Sequence, residues 1–288
     1  MEPGTLRPDF DRIRRARNEE RTPERLSAHY KVEARLARQL AQSSRAERSH
    51  LYSNLYRQLF AHVLGHPQHG ASTALRAGRI QTQAASLLKQ LGPDATYVEI
   101  GCGDAALTKV IAARVRSAVG VDVTPVLVSA DAPPAFKFVQ SDGITLDLPT
   151  GSADLVFSNQ LMEHLHVEDA VVQLQEIHRI LKPGGRYVCC TPNRLTGPHD
   201  ISVYFGNQPT GFHMREYDHR SLGALFHSAG FSSVVATVSL KGRSLALPVA
   251  VMGWAEKLLE AMPSRLRETL ALQSIMVNVA GVNLVGTK

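Results

Sequence analysis

Ala95-Thr-Tyr-Val-Glu-Ile-Gly-Cys-Gly-Asp-Ala-Ala-Leu-Thr108 is the stretch on which the fold turns. Val98 and Ile100 supply the apolar character of a buried strand, and a helix is expected to begin after Asp104. Between them Gly101 and Gly103 permit positive-φ turns and let the backbone approach a ligand with no Cβ in the way. A strand that breaks into a glycine turn and resumes as a helix opens a nucleotide-sized crevice at its carboxyl end. Alone, Gly-x-Gly-x-x-Ala is unspecific, because ordinary strand-to-helix junctions use similar turns.

Toward the C-terminus the pattern predicts further strands at Ala118–Val123, Phe136–Val139, Asp154–Ser158 and Arg186–Cys190, after a first at Tyr97–Ile100. Helices are expected over Ala105–Ser117, Glu168–Leu181 and Ser221–Ala229, the second ending at Lys182-Pro-Gly-Gly185. A long polar loop runs from Thr191 to about Tyr217, and Phe231–Ser239 and Ser274–Gly286 read as a closing strand pair around an apolar helical segment, Leu247–Leu270. This alternation argues for an α/β fold with a mostly parallel sheet covered on both faces.

Toward the N-terminus, Arg79–Leu91 reads as a helix. Before it Leu51, Tyr52, Leu55, Tyr56, Leu59, Phe60 and Val63 recur at amphipathic helical spacing, ended by His-Pro-Gln-His-Gly70. Ser27–Gln42 carries a modest stripe of Tyr30, Val32, Leu36 and Leu40, and residues 1–25 have few apolar anchors. Residues 1–70 hold too few apolar positions for a core of their own. The expected division is a helical extension, residues 1–78, acting as a lid, and a domain over residues 79–288.

Of the 288 residues 44% are hydrophobic and 20% charged, ordinary for a globular chain. No run approaches the roughly 20 apolar residues of a membrane span, and Met1-Glu-Pro-Gly-Thr-Leu-Arg-Pro lacks an apolar signal core, so the expectation is cytoplasmic. Cys102, Cys189 and Cys190 have no CxxC spacing, which argues against a thiolate zinc motif. The net charge of +6 is uneven: residues 1–80 sum to +7 and the remainder to −1. A basic appendage can hold nucleic acid, an acidic carrier or an anionic substrate. Here acids interleave with the bases and no Lys/Arg run carries aromatic stacking positions, so nucleic acid is not the expected partner.

Later motifs make the glycine turn specific. Val119-Gly-Val-Asp-Val-Thr124 sets Asp122 and Val123 at the end of the second strand, where a carboxylate can accept both ribose hydroxyls. Gln140-Ser-Asp-Gly143, Asp154-Leu-Val-Phe-Ser-Asn-Gln-Leu-Met-Glu-His-Leu165 and Arg179-Ile-Leu-Lys-Pro-Gly-Gly-Arg186 follow in order. With Val98-Glu-Ile-Gly-Cys-Gly, the set resembles the class I S-adenosylmethionine-dependent methyltransferases over roughly residues 80–288. The resemblance implies a Rossmann-like, seven-stranded sheet with five parallel strands and a terminal antiparallel hairpin, using S-adenosylmethionine and releasing S-adenosylhomocysteine. It sets Glu99, Gly101 and Gly103 at the methionine end, Asp122 at the ribose, Asp142 at the adenine amino group, and Asn159 and Gln160 beside the sulfonium and the acceptor entrance. Val123 and Gly143 would complete the cofactor site.

A hydroxyl acceptor must lose a proton during transfer, and histidine suits that task. His164, after the fourth strand, and His213, in the long loop, are the candidates. Glu163, His164 and His213 together resemble the metal sites of small-RNA 2′-O-methyltransferases and ubiquinone-pathway O-methyltransferases. Those enzymes tend to carry a further carboxylate where this chain has Gln160, so a divalent metal is the less favoured expectation. In the loop Thr191-Pro-Asn-Arg-Leu-Thr-Gly-Pro-His-Asp-Ile-Ser202, Asn193, Arg194, His199 and Asp200 give groups suited to a sugar, phosphate or carboxylate, and its opening Thr-Pro-Asn resembles methyltransferases of glycans and natural products. The expectation is O-methylation of a small-molecule or glycan intermediate with histidine-assisted deprotonation. RNA 2′-O-methylation, small-molecule N-methylation and a non-enzymatic scaffold stay open. Leu247–Leu270 fits packing on the sheet or on the second subunit of a homodimer.

Overall fold

In the computed structural model, residues 4–63, 74–129, 131–240, 243–263, 266–267 and 281–288 are described. The strand predicted from Val98 and Ile100 is β1 (Thr96–Ile100), buried from Tyr97 onward and placed inside the sheet, with β2 (Ser117–Asp122) and β4 (Ala153–Asn159) parallel on its two sides. β3 (Phe136–Gln140) extends one edge and β5 (Leu181–Thr191) the other, both parallel. The order β3-β2-β1-β4-β5 reverses direction between β1 and β4. A ligand crevice forms at such a reversal, outside the strands' carboxyl ends.

Among the described residues the sheet has eight strands where the resemblance implies seven. β6 (Ser233–Leu240) and β8 (Val282–Thr287) form the anticipated antiparallel end, and β7 (Arg243–Pro248) adds itself to the outside of β6. The sequence reads Leu247 as the start of a helix. It pairs instead with Ala236, and the helix waits until after Pro248, which closes an edge strand where its missing N–H costs no ladder bond.

Alternation along each strand divides the core. Tyr97, Leu155 and Phe157 face α4 (Ala74–Leu88) and α5 (Ala106–Ala112), where they meet Ala84, Leu87, Leu107 and Ile111. Val98, Ile100 and Val156 face the other way, toward α6 (Val167–Ile180) and α7 (His219–Ser228). α5 is shorter than the predicted Ala105–Ser117. Ala105 takes a left-handed conformation ahead of it, Ala113 caps its far end, and residues 113–116 carry the chain into β2.

The N-terminal helices join the same core. α2 (Pro23–Gln42) contributes Leu36 and Leu40, and α3 (Arg45–His62) contributes Tyr52, Leu55 and Leu59, to the cluster that holds Val98 and Ile100. A capping box between Ser44 and Glu47 starts α3. Buried Arg48 then pairs with buried Asp169 of α6 at 2.6 Å, and the Tyr52 hydroxyl donates to the same carboxylate at 2.9 Å. α1 (Phe10–Ala16) is held separately: Phe10 and Ile13 pack with Leu26 and Tyr30 of α2 against a 3-10 turn at Ile201–Tyr204 in the long loop.

The predicted apolar segment Leu247–Leu270 becomes α8 (Val249–Glu260), which leaves Val251, Trp254 and Leu258 exposed. The expected helix stop at His66–Gly70 and the first part of the expected last strand, Ser274–Ala280, lie outside the described residues. Among the described residues no helix is long and apolar enough to cross a membrane.

Candidate active site

The glycine turn after β1 leans on β2: Gly101 N–H and Cys102 N–H both donate to the Val121 carbonyl, at 2.8 and 3.1 Å. Gly103, at φ +56, would meet nothing within 4 Å if it carried a Cβ, so its glycine answers to backbone conformation and leaves open space beside it. Asp122 fastens the turn from the neighbouring strand, accepting from Gly103 N–H at 2.8 Å and Thr124 N–H at 3.3 Å. Burial raises its pKa, and these backbone donors oppose the rise.

Gly101, Gly103, Asp122, Val123 and Gly143 line one side of a small cavity of about 80 Å³. Tyr52, Tyr56 and Phe60 of α3 roof it. Gly143, at φ +87, is required here on two counts, since a Cβ would also stand 2.9 Å from the Tyr52 ring. Two other candidates are engaged elsewhere. Glu99 is buried and accepts from the Thr108 hydroxyl on α5, and burial pushes its pKa up to about 8. Asp142 caps its own turn, accepting from Ile144 N–H at 2.8 Å, Thr145 N–H at 2.6 Å and the Thr145 hydroxyl at 3.0 Å.

Asn159 lines a second, larger cavity of about 720 Å³, and Gln160 lines both. Gln160 has φ +56, a left-handed conformation that costs a non-glycine residue about 1 kcal/mol. Its N–H donates to the Cys190 carbonyl at 2.8 Å, which anchors it across the ends of β4 and β5. The large cavity is walled by those strand ends, the loop through Asn193 and His199, and arginines from α1 and α4.

Glu163, His164 and His213 come together between the two cavities, their candidate ligand atoms all within 4.8 Å of one another. Thr191, which lines the large cavity, donates to Glu163 Oε2 at 2.8 Å, and His164 lines the small one. Met214 N–H donates to the Glu163 carbonyl at 2.7 Å, which draws the long loop over the end of β4. Both imidazoles are oriented through Nδ1: that of His164 donates to the Phe212 carbonyl at 2.8 Å, and that of His213 meets Glu216 Oε1 at 2.8 Å. Glu163 Oε1 is buried and has no hydrogen-bond partner among the described residues.

Burial raises the Glu163 pKa to about 7, against the pull of His213. For His213 burial acts in the lowering direction, but the bond to Glu216 and the nearby charges of Glu163 and Asp200 outweigh it, and the net shift is upward. The charge on each of the two groups therefore bears on the titration of the other.

A protein family described as "Methyltransferase domain" matches residues 98–189, from inside β1 to inside β5. Over that segment the chain resembles the class I S-adenosylmethionine-dependent methyltransferases. It is 32% identical to a probable S-adenosylmethionine-dependent methyltransferase of Mycolicibacterium smegmatis, over 46% of this chain and 51% of that protein. It is 28% identical to the EEF1A lysine methyltransferase 4 of Mus musculus, over 46% and 63% respectively. The fold resembles that of a putative methyltransferase solved in complex with the Haloferax volcanii Trm112 methyltransferase activator, at 19% identity and a TM-score of 0.51, covering 73% of this chain and 90% of that one. The chain spans about half the length of the first curated relatives it matches.

The superfamily's cofactor is S-adenosylmethionine, and the residues at the β1–β4 crevice fit it in kind. Asp122 offers a carboxylate to ribose hydroxyls, Gly103 leaves open space, and Gln160 links the turn to the large cavity. The small cavity falls well below the roughly 300–1,000 Å³ of ordinary ligand pockets. Entry of a nucleoside therefore requires the aromatic side chains of α3 to give way.

The sequence marks Tyr52, Tyr56 and Phe60 as an apolar helix face, but their spacing does not say that they roof the glycine turn. Arg17 and Arg79, on the wall of the large cavity, belong to no motif. Their only trace in the sequence is the basic excess of residues 1–80.

Proposed function

We propose that the chain is a methyltransferase that methylates a hydroxyl of a small-molecule or glycan-type acceptor held in the large cavity. The observation that carries this reading is the Glu163, His164 and His213 cluster, joined to the wall of that cavity through Thr191. S-adenosylmethionine supplies the methyl group on a sulfonium that is its own leaving group, so the protein has to align the acceptor and exclude water. An amine needs only to be unprotonated, whereas a hydroxyl benefits from a positioned base. His213, buried and held at Nδ1 by Glu216, acts as that base once it has released the proton that Glu216, Glu163 and Asp200 favour on it.

The test is tritium transfer from S-adenosylmethionine to matched panels of phenols, sugar hydroxyls and amines. Hydroxyl acceptors should be labelled, and His213→Ala and His164→Ala should each lower turnover by about 10²–10⁴-fold. Transfer confined to amines, or near-wild-type turnover of both variants at saturating acceptor, would reject the reading.

A second reading is favoured by the partnerless Glu163 Oε1. One carboxylate and two imidazoles, each oriented by a bond at its other nitrogen, are a ligand set for a divalent metal. A metal bound there would acidify a coordinated hydroxyl. Ligand atoms around one ion with bonds near 2.1 Å lie about 3.4 Å apart, so the cluster would have to tighten. Loss of turnover on chelation, restored by added metal, is the expected result, and full activity after chelation would remove the metal.

A further inference from the structure

Four arginines among the described residues reach the large cavity: Arg7, Arg12 and Arg17 from α1 and its flanks, and Arg79 from α4. Arg7 and Arg12 both bind Asp9, at 2.9 and 2.7 Å. Arg17 is different. Its one side-chain hydrogen bond among the described residues is a marginal 3.5 Å contact to the Pro198 carbonyl, and no described carboxylate lies within the 4.0 Å of an ion pair.

Arg17 is exposed on the cavity wall, and Glu216 and Asp200 act on it only at longer range. Those two acids are committed elsewhere: Glu216 accepts from His199 N–H at 2.7 Å and meets His213, and Asp200 accepts from Gly211 N–H at 2.8 Å. With no ion-pair partner among the described residues, its guanidinium stands open to an anion that enters the cavity. Asn193, Thr196 and His199 line the same cavity. Guanidinium geometry matches the paired oxygens of a phosphate or a carboxylate.

We propose that the acceptor carries an oxyanion, phosphate or carboxylate, and that Arg17 is its anchor. This deepens the proposed function, resting on the reading of the large cavity as the acceptor site. Arg17 is a binding residue in this assignment and takes no part in proton transfer.

The test uses the full chain, with inorganic phosphate and succinate as probes at constant ionic strength and S-adenosylhomocysteine titrated in parallel. Millimolar phosphate or succinate should raise the melting temperature of the wild type by about 2–4 °C. Whichever of the two protects identifies the oxyanion. Arg17→Met should abolish the rise, and Arg15→Met, at an exposed position of α1 outside the cavity, should keep it. Both variants should bind S-adenosylhomocysteine within twofold of wild type.

The proposal is overturned if neither anion protects a wild type that binds S-adenosylhomocysteine, or if Arg17→Met retains the protection. It is also overturned if Arg17→Met weakens S-adenosylhomocysteine binding tenfold, which would make Arg17 a cofactor ligand. Failure of the wild type to bind S-adenosylhomocysteine would instead strike the methyltransferase reading.

Discussion

Glu99 carries a burial penalty that grows with pH. Its folded pKa of about 8 stands above the ordinary 4.5, so the native chain keeps a proton that the unfolded chain releases. The unfolded state binds fewer protons between about pH 4.5 and 8, and stability therefore falls as pH rises through that window. Glu99→Gln removes the penalty. Its stability relative to wild type in urea melts should improve from pH 5 to pH 8, by up to about 1.4 kcal/mol per pH unit. An advantage independent of pH would show that Glu99 is not protonated in the folded chain. At this scale Gly101, Gly103 and Asp122 were legible, because their backbone conformation and spacing admit few other residues. The inward bond of Glu99 and the turn-capping by Asp142 were not, because a carboxylate near a glycine serves a ligand or a local N–H with the same sequence.

α3 is fixed to the sheet domain by a buried charge. Arg48 donates to both Asp169 and Glu168 of α6, and Tyr52 adds its hydroxyl to Asp169. Removing one member of a buried pair leaves its partner uncompensated, at about 3–5 kcal/mol. Arg48→Met should lower the urea-unfolding free energy by that amount, and a loss below about 1 kcal/mol would mean that the pair does not fix α3. The apolar stripe of α3 was readable from its periodicity. Its partner was not, because nothing in the order of residues links Arg48 to Asp169, 121 positions away. β7 escapes the sequence for a related reason: a short edge strand is made by pairing with β6, and Leu245 and Leu247 fit a helix equally well in isolation.

Over the whole molecule, the five parallel strands follow from local alternation, and their order puts the glycine turn at the crevice. The large cavity is assembled from α1, α4, the ends of β4 and β5 and the long loop, segments far apart in the chain. This is why the glycine-turn edge was legible and the arginine-lined cavity was not. The central claim is that the β1–β4 crevice binds S-adenosylmethionine, and calorimetric titration of S-adenosylhomocysteine into the full chain and its Asp122→Ala variant tests it most directly. One-to-one binding to wild type, weakened at least tenfold in the variant with its melting curve intact, is the expected result. No binding to wild type, or equal affinity in both, would contradict it.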